Sequence, residues 1–219
     1  MLDLCPIQLP GRENRLREAP LTEINRIAEI LSEELEPYFD RPYILYGYSW
    51  SAIIVFELAR RLRMRGIPPA ISLYALARRA PHLPETKPPL RHLPDDLFLL
   101  ELKRRYDGMS PIVLRERELM QLLLPTLRAD VTAYETYDYS EEEPLDCAIR
   151  VFGGTSDVTT TEDELRGWQR HTNRSFEITM LQGDHFFIRD NRASVLDSIA
   201  KDIPSDGGLL RLRGNRHWN

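Results

Sequence analysis

Four short apolar runs constrain the fold of this chain more than any other feature: Pro42 to Tyr46, Ala70 to Ala75, Ala148 to Phe152 and Phe176 to Leu181. Each has the length of a buried strand, and the residues between them carry helical spacing of apolar positions or no periodicity. Strand alternating with helix predicts a parallel sheet wrapped on both faces. After a first strand-like run near the start, Leu21, Ile24, Ile27, Ala28, Leu31 and Leu35 recur at helical spacing, with Thr22 as the expected cap and Pro37 near the end. A second helix is expected from Ser51 to about Arg65, closed by Gly66, and a third begins among Thr159 to Glu164.

Between about residues 80 and 144 the pattern changes. Prolines 81, 84, 88, 89 and 94 crowd the entry, then leucine-rich helical segments run from Asp95 to Tyr106 and from about Pro111 to Tyr134, with a kink expected at Pro125. An all-helical insertion of this size in an alternating sheet protein reads as a lid over an active site, its leucines forming both the lid's own packing and an acyl-chain wall. The expected organisation is one domain over 1–219: a core of 1–79 and 145–203, a lid of about 80–144, and a tail of 204–219.

Charge and cysteine usage exclude several function classes. The formal net charge is −5 and both signs are mixed along the chain, which speaks against nucleic acid as a primary partner. The basic clusters Arg60-Arg61-Leu62-Arg63-Met64-Arg65, Arg78-Arg79 and Lys103-Arg104-Arg105 read as solvated helix faces. No run approaches the roughly 18 apolar residues of a membrane span and the first residues lack a basic start, so a cytoplasmic protein without a membrane anchor is expected. Cys5 and Cys147 have no metal-ligand spacing and are expected to be small buried apolar groups.

The candidate chemistry lies at the ends of three of the strand-like runs. Ser49 follows the first within Gly47-Tyr48-Ser49-Trp50-Ser51, Asp157 follows Val151-Phe152-Gly153-Gly154, and His185 follows the last in Gly183-Asp184-His185. Serine, acid, histidine is the chain order of an α/β-hydrolase. A serine hydroxyl attacks an ester or thioester only when an imidazole takes its proton, so Ser49 is expected on a sharp turn at a helix N-terminus, with Gly47 permitting the turn. The Trp50 backbone N–H is the expected oxyanion donor. A lone Gly-x-Ser is more often an ordinary turn, and Asp157 by itself also reads as a helix N-cap; the shared strand-end positions favour the catalytic assignment. His82, His92, His171 and His217 have no comparable position. No metal or organic cofactor is required by this chemistry.

The chain resembles the type II thioesterases that accompany nonribosomal peptide and polyketide synthases. The resemblance is carried by Gln8-Leu9-Pro10-Gly11-Arg12-Glu13-Asn14-Arg15, the serine elbow, Arg78-Arg79-Ala80-Pro81-His82-Leu83-Pro84, Leu93-Pro94-Asp95-Asp96, the run Leu124 to Asp130, Pro144-Leu145-Asp146-Cys147 and Gly183-Asp184-His185-Phe186-Phe187. It implies an α/β-hydrolase fold with an inserted lid and hydrolysis of acyl groups from the phosphopantetheine thiol of acyl or peptidyl carrier domains, with Arg60, Arg61, Arg78, Arg79 or Arg104 steering an acidic carrier. Two departures stand out. The elbow usually reads Gly-His-Ser-Met-Gly in the family, and family members open with a strand and a Pro/Gly-rich turn that supplies a second oxyanion donor, a segment this chain starts after. The expectation is that coding sequence upstream of Met1 supplies it, and that the chain as given is poorly stable, weakly active or paired with another copy. The alternatives are a non-catalytic carrier-binding relic and a carboxylester hydrolase using the same three residues.

Overall fold

In a computed structural model, which describes residues 3–106 and 117–203, four parallel strands lie in the order β1 (Ile44–Tyr48), β2 (Ser72–Leu76), β3 (Ala148–Gly154), β4 (Phe176–Leu181). The register pairs Gly47 with Ala75, Ala75 with Val151, and Val151 with Ile178, so the C-terminal ends of all four strands meet at one edge. Strand parity separates two cores. Leu45, Leu73, Ala75, Ile149 and Val151 face one side, where α1 (Ile24–Glu34) and α2 (Ser51–Met64) cover them together with Trp168. Tyr74, Leu76 and Phe152 face the other, against Phe187 and against Val195 of the C-terminal helix α6 (Arg192–Asp202). This two-sided burial is why β2 is apolar along its whole length after Ser72. The architecture is that of an α/β-hydrolase, as its residue pattern predicts.

The insertion contributes α3 (Asp95–Tyr106) and α4 (Arg117–Glu135), the latter running through Pro125. Phe98 and Leu102 of α3, with Leu90, form a satellite core that Leu124, Leu127 and Val131 of α4 complete. The first residues expected for the second lid helix, from Pro111, lie outside the described residues, as does the tail 204–219. A short α5 (Glu162–Arg166) follows β3, capped by Thr161, whose hydroxyl accepts the Glu164 N–H while the Glu164 side chain returns to Thr161 N–H.

Several expectations give way. Residues 3–9 form no strand, because they are largely exposed and find no partner ladder among the described residues. Thr22 does not cap α1; the N-cap is Glu23, without a side-chain hydrogen bond. Gly66 does close α2, at φ 74°, with Ile67 N–H donating to Leu62 O at 3.0 Å. β1 starts at Ile44 rather than Pro42 and continues through Gly47 and Tyr48, since the ladder to β2 continues past the apolar run.

Cys5 is exposed, although Cys147 is buried as expected. Arg60 of the first basic cluster and both arginines of the second are buried rather than solvated. Arg60 is 2% exposed, pairing with Glu57 and Glu142 at 2.8 Å each, and its guanidinium lies over the Phe56 and Tyr139 rings. Arg78 lies 3.8 Å over the Tyr134 ring, and Arg79 bonds Pro84 O at 2.7 Å and Glu164 at 3.0 Å. Sequence runs of like charge do not reveal such internal carboxylate and aromatic partners.

Candidate active site

Ser49 follows β1 and starts the turn into α2 at φ 56°, a left-handed conformation that costs a non-glycine residue about 1–2 kcal/mol. The turn is held from both sides. Ser49 N–H donates to Leu76 O at 2.8 Å, and Ala52 N–H donates to Ser49 O at 3.0 Å. Gly47 serves close approach rather than the turn itself: a Cβ there would lie 2.5 Å from Ser51 O and 2.6 Å from Ala52 Cα. Strand and helix therefore meet only because position 47 has no side chain.

Ser51, where the family usually has glycine, takes a local role. Its hydroxyl accepts the Tyr48 N–H at 2.8 Å and donates to Tyr48 O at 2.7 Å. In a parallel strand successive residues direct their backbone groups to opposite sides. Ser49 bonds β2, so these Tyr48 groups face away from it, and the Ser51 hydroxyl satisfies them. Trp50 is the N-cap of α2; its side chain packs on the larger core, and its N–H makes no backbone hydrogen bond among the described residues. That leaves a donor at the positive end of a helix, next to the serine.

The folded chain brings Ser49, Asp157 and His185 into one relay. His185 Nε2 is 3.0 Å from Ser49 Oγ, and His185 Nδ1 is 2.9 Å from Asp157 Oδ2. An Nδ1–H donating to the carboxylate leaves Nε2 with its lone pair toward the serine. The His185 side chain is only 5% exposed, so neither bond competes freely with water. Burial pushes the Asp157 carboxyl up, but the hydrogen bonds from His185 and Thr159 outweigh it and hold it below the ordinary carboxylate value. The acid therefore stays ionised.

Thr159 completes the acid's coordination and is absent from the sequence-based assignment. Asp157 Oδ1 accepts the Thr159 N–H at 2.7 Å and its hydroxyl at 2.6 Å, and the same hydroxyl oxygen lies 3.0 Å from His185 Nδ1. An aspartate bonding the backbone two residues on is an Asx turn, and Asp-x-Thr after a strand is the signal that would have found it. The acid loop is knitted to the histidine loop by Thr155 N–H to Leu181 O at 2.8 Å and Ser156 N–H to Gly183 O at 2.9 Å. Tyr48 also reaches across, its hydroxyl donating to His185 O. A cavity of about 340 Å³ beside Asp157 is lined by Gly154, Thr160 and Met180.

His82 and His171 bond each other at 2.8 Å within a box of Phe56, Tyr139 and Trp168. Burial, then His82, Arg170 and Arg60, lowers the His171 pKa to about 3. This pair is a neutral packing element.

The Thioesterase domain family model matches residues 1–203. The chain belongs to the thioesterase family. Gramicidin S biosynthesis protein GrsT of Aneurinibacillus migulanus is 40% identical over 202 residues, which cover 92% of this chain and 78% of that relative. Among solved structures, the RedJ thioesterase of the prodiginine biosynthetic pathway in Streptomyces coelicolor matches with a TM-score of 0.83 at 33% identity, over 90% of this chain and 78% of that one. The type II thioesterase BorB of the borrelidin cluster matches with a TM-score of 0.81 at 35% identity, over 89% and 79%. The family expected from the motifs is thus the family found, and the chain spans nearly four fifths of the length of these thioesterases. Among the described residues no helix is long and apolar enough to cross a membrane.

Proposed function

We propose that the protein hydrolyses acyl thioesters carried on the phosphopantetheine arm of carrier domains, clearing stalled or misloaded chains from a synthase. The observation that carries this is the unbroken relay from Ser49 Oγ through His185 to Asp157, at 3.0 and 2.9 Å, at the C-terminal edge of a parallel sheet in a thioesterase-family chain. Ser49 Oγ attacks the thioester carbonyl as its proton passes to His185 Nε2, and Asp157 stabilises the imidazolium. The negative charge on the former carbonyl oxygen faces the Trp50 N–H. Collapse breaks the C–S bond, and the imidazolium protonates the departing sulfur to give the free thiol. Water then attacks the acyl–serine ester with His185 as base, returning Ser49 and releasing the carboxylic acid. Phosphopantetheine arrives with the substrate.

The helical insertion, with its own apolar core, is suited to cover the acyl chain as a lid. Of the arginines considered for steering a carrier, Arg60, Arg78 and Arg79 are buried, which leaves Arg61 and the exposed Arg104. The test is Ser49→Ala assayed with an acyl-loaded carrier domain. Turnover should vanish while carrier affinity stays within a few fold, because the serine makes a covalent rather than a docking contact. Retained turnover overturns the assignment of the nucleophile.

A further inference from the structure

Three aromatic rings surround the imidazole of His185: Tyr106 with ring centres 5.0 Å apart and planes at 61°, Phe186 at 5.3 Å and 87°, and Tyr48 at 5.8 Å and 74°. Two of them are chain neighbours of the residues they serve, Tyr48 next to Ser49 and Phe186 next to His185. Tyr106 is different. It is the last residue of α3, about 80 residues away in sequence, and among the described residues it is the one ring of the helical insertion that reaches the relay. The same side chain packs on the satellite core of Leu90, Phe98 and Leu102. It therefore joins the body of the insertion to the reacting base.

We infer that Tyr106 is a positioning residue for the proposed reaction, fixing the plane of the His185 imidazole so that Nε2 stays aligned with Ser49 Oγ. The inference rests on the thioesterase reading above. The bond to Asp157 anchors the ring at Nδ1 but leaves rotation about that anchor to be restrained by packing, and inclined ring contacts at 5–6 Å supply that restraint. A base displaced by a fraction of an ångström loses the near-attack geometry on which the proton transfer depends. The contact is made by the ring, since the Tyr106 hydroxyl forms no hydrogen bond among the described residues. Because Tyr106 moves with α3, the alignment of the base also depends on where the insertion sits.

The experiment compares the parent protein with Tyr106→Phe and Tyr106→Leu, the leucine keeping apolar volume and helix propensity while removing the ring. Two readouts are taken: kcat and KM for acetyl and decanoyl thioesters of N-acetylcysteamine, and the rate of Ser49 labelling by a small fluorophosphonate, which needs an aligned base but no acyl pocket. Tyr106→Leu should lower kcat and the labelling rate by a common factor of about three- to tenfold, the rate equivalent of one lost aromatic contact, on both acyl lengths and with KM within twofold. Tyr106→Phe should stay within twofold of the parent in every measurement. Parental rates in the leucine variant, a loss confined to KM or growing with acyl length, or a phenylalanine variant as impaired as leucine each overturn the inference. A parent that does not label at Ser49 overturns the reading on which it rests, and so the two failures are separable.

Discussion

Gly154→Ala should separate the acid from the base while leaving the rest of the sheet intact. Gly154 is the last residue of β3, and a Cβ there would lie 2.2 Å from Asp184 O and 2.5 Å from Gly183 O. Ordinary contact begins at 3.4 Å, so the acid loop and the histidine loop must part by about 1.2 Å, and both neighbours are backbone atoms that cannot swing aside. A shift of that size takes the His185–Asp157 bond from 2.9 Å beyond hydrogen-bonding range. Overpacking costs about 1–3 kcal/mol, which is a fall of roughly 2–12 °C in melting temperature for a chain of this size. Misplacement of a catalytic group by about 1 Å costs on the order of a hundredfold in rate. Gly66→Ala is the control: at φ 74° with no atom within 4 Å of its Cβ, it should lose about 1 kcal/mol to backbone strain and no activity. The assay is thioester hydrolysis followed by thiol release, alongside thermal melts of both variants. Full activity in Gly154→Ala, or equal activity losses in the two variants, would refute the argument that loop spacing sets the relay.

Thr159→Val should lower stability at neutral pH by about 1.5–3 kcal/mol, because a buried ionised carboxylate loses one of its donors. The Asp157 pKa is depressed in the folded state, so this contribution is present above the unfolded value of about 3.9 and fades as pH falls through the folded one. Denaturant titrations should show parent and variant converging below about pH 4; a constant gap counts against the assignment. For His171 the shift is also downward, to about 3 against 6.5, but for a base: the unfolded chain takes up a proton below pH 6.5 that the folded chain refuses, so stability is lost as pH falls. His171→Phe should therefore flatten the decline of melting temperature between pH 6.5 and 4.5, worth up to about 1.4 kcal/mol per pH unit, and parallel declines would exclude it. Leu123→Asp on α4 should slow decanoyl turnover several-fold more than acetyl turnover if the insertion walls the acyl chain, whereas equal losses would point to general destabilisation.

The sequence by itself determined the four strands, their parallel arrangement, the long helices and the strand-end placement of Ser49, Asp157 and His185, because local periodicity and chain order carry that information. α3 was legible at both ends, from Asp95 to Tyr106, and β4 likewise, since turn residues bound each of them. The sequence misplaced whatever depends on neighbours distant along the chain. Arg60, Arg78 and Arg79 read as solvated charges, yet Glu142 and Tyr134 arrive from elsewhere to bury two of them and Glu164 to bury the third. Gly47 read as a turn residue, and only the approach of α2 to β1 shows that its missing Cβ matters while the strained φ sits on Ser49. Thr159 beneath the acid was legible as a local Asp-x-Thr turn, whereas hydrogen-bond distances in the relay and Tyr106 against the base were decided by tertiary structure alone. Each depends on two segments converging to within about 3–5 Å, and one-dimensional patterning encodes which face a residue presents, not which distant residue meets it there.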